Sequence, residues 1–263
     1  MSIHSRYRVG LWHPYEKPMY GVLLNPYHPL ARGLVGCWLF NEGGGNTVFD
    51  LSGYGNHGTL GGGDSAKCPA WVPSRTGPAL NFDGNDYVSL ASTITLTDDW
   101  TTVVFFNINS VSDDHDMILG YHLSANCYIR VLDGTTIRVQ SNVSGTYKDY
   151  TVPTISTHTW YHLAVTRRNG NVRVFLDGVE STSGSQAIAD DFTFDQIARY
   201  YTYDTYSFGG MIDLVLIFNV AKTPEEIWQL YTDPFCMFYH PLEAELLYAA
   251  PAAFARSYGY IIG

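Results

Sequence analysis

A chain of 263 residues that is 46% apolar and only 15% charged is a folded chain with enough apolar side chains for a core, as one large all-β domain or two small ones. Its net charge of −10, with 15 scattered Lys and Arg, argues against nucleic acid as a partner, because phosphate binding needs clustered basic side chains. No stretch reaches the roughly 18 apolar residues of a membrane helix, and the opening segment has no apolar run of a secretory signal, so no membrane partner and synthesis in the cytoplasm are expected.

Residues 1–33 carry Pro14, Pro18, Pro26 and Pro29, with Trp12, Tyr15, Tyr20 and Tyr27 between them. Proline resists both helix and central strand, so this segment reads as an extended arm whose aromatic rings dock on a surface. Next, Glu42 to Leu60 is dense in glycine, among Asn46, Asp50, Ser52, Asn56 and His57. A phosphate-binding loop would need a following helix and a nearby Lys, and neither is present. The remaining uses for such a loop are tight turns and a cation site built from side-chain and backbone oxygens.

Strands are expected at 34–40, 79–83, 86–90, 100–109, 116–122, 127–132, 135–141, 159–168, 171–178 and 209–220, where short β-branched or aromatic runs recur about every ten residues. Within the 171–178 strand, Val172, Val174 and Leu176 alternate with Arg173 and Phe175. Asp133-Gly134 and Asn169-Gly170 are hairpin turns, since both residues of each pair tolerate positive φ. Thr223-Pro-Glu-Glu226 opens the single convincing helix, 223–231, with Thr223 as N-cap and Glu226 completing a capping box. Ile227, Leu230 and Tyr231 share its apolar face. Residues 233–263 form a second arm, rich in Ala and aromatics, and the two arms either bind neighbouring subunits or fold back on their own domain. The four cysteines, Cys37, Cys68, Cys127 and Cys236, have no zinc-type spacing; buried thiols or disulfides both remain open.

Several of these stretches together resemble a family. Gly33 to Leu60, Ala79-Leu-Asn-Phe-Asp-Gly-Asn-Asp-Tyr-Val88, Trp160-Tyr-His-Leu-Ala-Val-Thr166, Val174-Phe-Leu-Asp-Gly-Val179 and Gly209-Gly-Met-Ile-Asp-Leu-Val-Leu-Ile-Phe218 follow one another as in laminin G-like domains of the concanavalin A-like lectin/glucanase superfamily. The resemblance covers 34–232 and implies an all-β fold, a jelly-roll β-sandwich of two antiparallel sheets with one short C-terminal helix and extended terminal arms. It also implies a structural calcium near the first strand, held by an acidic residue of the last strand. Glu42, Asp50 and Asp213 are the candidate ligands here. The alternative is that Asp213 takes hydrogen bonds from loop N–H groups and the His57 ring. The family usually has Glu after this Asp, and Leu214 stands there instead. The segment Pro234-Phe-Cys-Met-Phe238 resembles tails of phage and environmental viral proteins of this class.

Glucanases of the superfamily place acidic residues in alternation on one strand of the concave sheet, as hydrolysis requires a pair of carboxylates. The strands expected here contain no Glu, and Asp113 to Asp116 reads as a solvated turn, so no enzyme activity is expected. Sugar binding needs aromatic platforms beside polar groups. Tyr200, Tyr201, Tyr203, Asp204 and Tyr206 offer one, with Tyr147 and Tyr150 as further candidates; alternatively these rings pack on a neighbour or on the arms. The main expectation is a non-enzymatic virion protein, a phage capsid decoration or tail accessory subunit. It would be a homo-oligomer, binding other virion subunits through Trp12, Tyr15, Tyr20, Tyr27, Phe235, Phe238 and Tyr239. The alternative is a carbohydrate-binding or adhesion module with a glycan ligand, and a glycoside hydrolase comes third.

Overall fold

In the computed structural model, residues 16–111, 116–141, 147–188, 190–201 and 207–239 are described. In chain order the strands are β1 (Leu34–Trp38), β2 (Thr47–Val48), β3 (Gly58–Leu60), β4 (Ala70–Pro73), β5 (Pro78–Asp83), β6 (Val88–Leu96), β7 (Trp100–Ile108), β8 (Asp116–Tyr121) and β9 (Ser124–Leu132). They continue with β10 (Thr136–Gln140), β11 (Tyr147–Thr151), β12 (Trp160–Arg168), β13 (Asn171–Leu176), β14 (Val179–Glu180), β15 (Gln186–Ala187), β16 (Phe192–Ile197) and β17 (Gly209–Phe218), followed by helix α1 (Pro224–Thr232).

These strands form two antiparallel sheets. The nine-stranded sheet runs β14-β13-β12-β7-β17-β5-β4, with β1 on β17 and β15 on β13. The eight-stranded sheet runs β11-β10-β9-β8-β16-β6-β3-β2. Strand β17 is long enough to pair β7 along one edge while β5 takes the first half of its other edge and β1 the second. The expected sandwich is therefore the observed one.

The inner core lies between the sheets. Phe106, Leu163, Val174, Val215 and Ile217 of one sheet meet Val88, Ile118, Ile129, Ile137, Phe192 and Phe194 of the other. The nine-stranded sheet has a second apolar layer on its outer face. There Val103, Phe105, Phe175, Leu214, Leu216 and Phe218 pack under Ile227 and Leu230 of α1 and under Leu30, Phe235, Met237 and Phe238. Burial on both faces explains why β7 reads as a continuous apolar run rather than an alternation. Each such side chain contributes about 1.5–3 kcal/mol when fully buried, enough to hold the flanking segments down.

The described parts of both arms thus fold back on their own domain. Leu24 bridges Phe238, the Asn25 N–H donates to Met237 O at 2.8 Å, and the Tyr239 N–H donates to Leu23 O at 2.9 Å. Phe235 and Phe238, expected to bind neighbours, are buried in this second core. That corrects the expectation: the open apolar face of the nine-stranded sheet lies within reach, and covering it internally removes these rings from water. Tyr20 and Tyr27 are exposed, Tyr239 is half-buried, and Trp12 and Tyr15 lie outside the described residues.

Local signals behave as expected. Asp133, Gly134, Asn169 and Gly170 all have positive φ, the geometry that two-residue hairpins demand. Helix α1 has the capping box, with the Glu226 N–H donating to Thr223 Oγ1 and the Thr223 N–H donating to Glu226 Oε2. Thr223→Ala is expected to cost about 1 kcal/mol in urea unfolding, because it orphans one amide of the first turn. All four cysteines are free thiols. No described helix is long and apolar enough to cross a membrane.

Candidate functional site: the outward face of the eight-stranded sheet

The inner core takes one face of the eight-stranded sheet. Alternation along each strand turns the neighbouring side chains the other way. Cys127, Ile129 and Val131 point inward from β9, so Tyr128 and Arg130 point outward. Ile137 and Val139 do the same for Arg138 and Gln140 on β10. The cross-strand register then aligns one row across the sheet: Thr47, Thr59, Ser89, Gln196, Gly120, Tyr128, Gln140 and Tyr147. A parallel row carries Asp149, Arg138 and Arg130.

These rows are polar and aromatic, with Tyr128, Arg130, Gln140 and Gln196 buried and Tyr147 at their exposed end. Arg138 forms a fork on Asp149, with Nε to Oδ1 at 2.7 Å and the second bond at 2.8 Å. Its guanidinium lies 3.8 Å from the centre of the Tyr147 ring, and Tyr147 is 49% exposed. The hydrogen bonds it donates to Asp149 raise the arginine pKa further and keep it charged. Tyr128 meets Tyr200 edge-on at 5.1 Å, and burial raises the pKa of the Tyr128 hydroxyl. Gly120 lets the 199–201 segment lie on the sheet: a Cβ there would sit 2.4 Å from Arg199 O and from Tyr200 Cβ. Beside this row the His122 N–H donates to Asp195 Oδ1 at 3.0 Å, its ring pairs with the same carboxylate, and Thr93 Oγ1 adds a bond at 3.2 Å. Gln196 is only 6% exposed, and its Oε1 has no hydrogen-bond partner among the described residues.

A concavity of about 220 Å³ lies at the start of α1, between Arg168, Asn171, Arg173 and Lys222. It contains no aromatic platform, and its Lys222 ammonium is already committed to Leu30 O and Arg32 O at 2.9 and 3.1 Å.

A family model of the concanavalin A-like lectin/glucanases superfamily matches residues 82–228, more than half of the chain. The chain belongs to this superfamily. None of the curated proteins matches it. Among solved structures it is similar to domain 4 of AbnA, a GH43 extracellular arabinanase from Geobacillus stearothermophilus, in complex with arabinotriose. That match has 22% identity and a TM-score of 0.60, covering 75% of this chain and 98% of the domain. Trypanosoma rangeli sialidase in complex with 2,3-difluorosialic acid aligns at 14% identity and a TM-score of 0.55, over 78% of this chain and 34% of the sialidase. The binding domain of Paraclostridial Mosquitocidal Protein 1 aligns at 14% identity and a TM-score of 0.56, over 77% of this chain and 52% of that one. At these identities the likeness is one of fold.

The virion reading is corrected by these findings. The similar structures named above belong to an arabinanase, a sialidase and a mosquitocidal protein. The same segment is seen packing into its own domain.

Each residue that the superfamily resemblance had grouped is engaged by groups of the protein itself. Glu42 accepts the Phe49 N–H at 2.7 Å. Asp50 accepts N–H groups of Cys37, Ser52 and Asn56 at 2.9, 2.9 and 3.0 Å, and the Ser52 hydroxyl at 2.8 Å. His57 takes the Asp50 N–H at 3.0 Å and so is not the partner of Asp213. Asp213 instead holds Lys17, whose Nζ lies 2.7 Å from Oδ1. No group of three or more His, Cys, Asp or Glu among the described residues is arranged to hold a metal. In the native chain the Lys17 ammonium sits among the oxygens at Asp213, which leaves them no place for a calcium ion.

Of the tyrosine cluster, Tyr200 lies on the sheet face, and the Tyr201 N–H donates to Tyr121 O at 3.1 Å. Tyr203, Asp204 and Tyr206 lie outside the described residues, as do Asp113 and Asp114. Tyr147 is on the face, whereas Tyr150 is in the core with its hydroxyl donating to Val172 O at 3.1 Å. Sequence reading missed Tyr128, Arg138, Gln140 and Gln196 as a group. The alternation of Tyr128 and Arg130 with three core residues was a usable signal for part of it.

Proposed function

We propose that this chain is a carbohydrate-binding module that holds a glycan on the outward face of its eight-stranded sheet and does not cleave it. The observation that carries this reading is Tyr147, a half-exposed ring at the end of the polar row with the Arg138 guanidinium 3.8 Å from its centre. The exposed Tyr147 ring offers a stacking surface, and the Arg138–Asp149 fork beside it offers fixed donors and acceptors. The arabinotriose held by the similar domain of AbnA supports a glycan ligand.

Binding without hydrolysis follows from how the carboxylates are engaged. A glycosidase needs one carboxyl protonated as acid and a second as nucleophile or base. On this face Asp149 is locked by Arg138, and Asp195 by His122 and Thr93.

The test is a glycan array followed by titration calorimetry with the best binders, arabino-oligosaccharides included. Tyr147→Ala and Arg138→Ala are each expected to weaken binding about tenfold, an effect of roughly 1.4 kcal/mol. Arg173→Ala, on the other sheet, should leave affinity unchanged. Flat signals across the array, or equal loss in all three variants, would overturn the proposal.

A further inference from the structure

Lys17 is a fully buried cation in the segment leading to β1, far in sequence from everything it contacts. Its Nζ donates to Asp213 Oδ1 at 2.7 Å, to Asp213 O at 2.8 Å and to Pro78 O. The Asp213 carboxylate also accepts Ser74 Oγ at 2.9 Å and Thr76 Oγ1 at 2.6 Å. Glu42 is close enough for its charge to act on the ammonium. The ammonium therefore meets one carboxylate oxygen and two backbone carbonyls, and two hydroxyls hold the same carboxylate. All are hard oxygens, the donor class that calcium takes.

The backbone is shaped for this arrangement. The ladder between β17 and β7 slips between Ile212 and Leu214, which oppose Phe106 and Phe105. Asp213 is the extra residue of that bulge. Ile212 and Val215 enter the inner core while Leu214 enters the outer one, so the bulge turns the carboxylate away from both. Lys17 is fixed over it by its own N–H on Thr76 O at 2.8 Å and by Asn41 Nδ2 on Pro18 O at 2.9 Å. Burial pushes the lysine pKa down, and Asp213 and then Glu42 push it back up.

We propose that this cage is a divalent-cation site whose resident cation is the chain's own Lys17 ammonium, so that calcium and residue 17 are alternative occupants of one place. The three protons of the ammonium satisfy the three oxygens that would otherwise ligate an ion. The native protein is then indifferent to calcium, and the segment before β1 is tied down by charge rather than by metal.

The test uses full-length protein, native and with Lys17→Ala, and the double variant Lys17→Ala with Asp213→Asn. Melting is followed in EDTA and in excess calcium chloride, with calcium titrations by calorimetry. The native protein is expected to melt alike in both and to give no binding heat. Lys17→Ala should melt lower in EDTA, rise by about 5 °C or more with calcium, and saturate at a single site. The double variant should show no calcium response. If Lys17→Ala is unfolded in EDTA, recovery of its native circular dichroism on adding calcium supports the proposal. A native protein that loses stability in EDTA overturns it, as does a Lys17→Ala protein that neither binds calcium nor recovers with it.

Discussion

Replacing Lys17 by Met is expected to remove about 3–5 kcal/mol of folding stability, measured by urea unfolding in EDTA. The loss comes less from the missing attraction than from what stays behind. Asp213 would be a buried carboxylate whose remaining donors are the hydroxyls of Ser74 and Thr76. Removing both charges together, as Lys17→Met with Asp213→Leu, is expected to restore most of the stability, because a buried ion pair and an apolar pair of similar volume are often nearly equivalent. A single variant that loses under about 1 kcal/mol would mean that water or the chain readily compensates the carboxylate.

The second large effect is a dependence on acid. His162 lies wholly buried beneath α1, with Phe105 at 4.9 Å and Tyr231 at 5.6 Å between ring centres. Neither ring nitrogen has a hydrogen-bond partner among the described residues. Burial pulls its pKa from 6.5 down to about 3. Below 6.5 the unfolded chain takes up a proton that the folded chain refuses. Stability is therefore complete above 6.5 and falls by about 1.4 kcal/mol per pH unit as pH drops toward 3. Asp177, whose Oδ1 accepts the His162 N–H at 2.8 Å, has a raised pKa through burial and acts in the opposite sense around its own titration. His162→Phe keeps Asp177 and removes the imidazole. Its stability advantage over the native protein is expected to widen by about 3 kcal/mol between pH 7 and pH 4 in urea unfolding. Parallel pH profiles for the two proteins would show that the imidazole is hydrated or paired after all.

The functional reading changed between sequence and structure for a physical reason. Aromatic residues in terminal segments look alike in sequence whether they await a partner or cover their own domain. Phe235 and Phe238 do the second, because the outer face of β7 and β17 presents Phe105, Leu214 and Leu216 to them. With that face covered, the polar row from Ser89 to Tyr147 became the surface to explain.

Parts of the sandwich were harder to read than others. Strand β16 escaped because its alternation breaks between Phe194 and Gln196, where the pairing with β6 slips. Strand β11 escaped because it is polar on its outward face and places just Tyr150 in the inner core. Both contribute to the candidate site, β16 with Gln196 and β11 with Tyr147 and Asp149.

What the sequence by itself determined is local. The turns at Asp133-Gly134 and Asn169-Gly170 and the Thr223 cap depend on residues within a few positions of one another, and they form as their chemistry demands. The ordered motifs also placed the chain in its superfamily. The tertiary structure alone decided the partner of Asp213, because Lys17 stands 196 residues away and no spacing rule links them. It likewise decided which sheet face stays polar, since that depends on where α1 and the two terminal segments come to rest. Short-range hydrogen bonds and backbone sterics are written in neighbouring residues; the pairing of a buried charge and the covering of a face are settled only when distant segments compete for the same apolar surface.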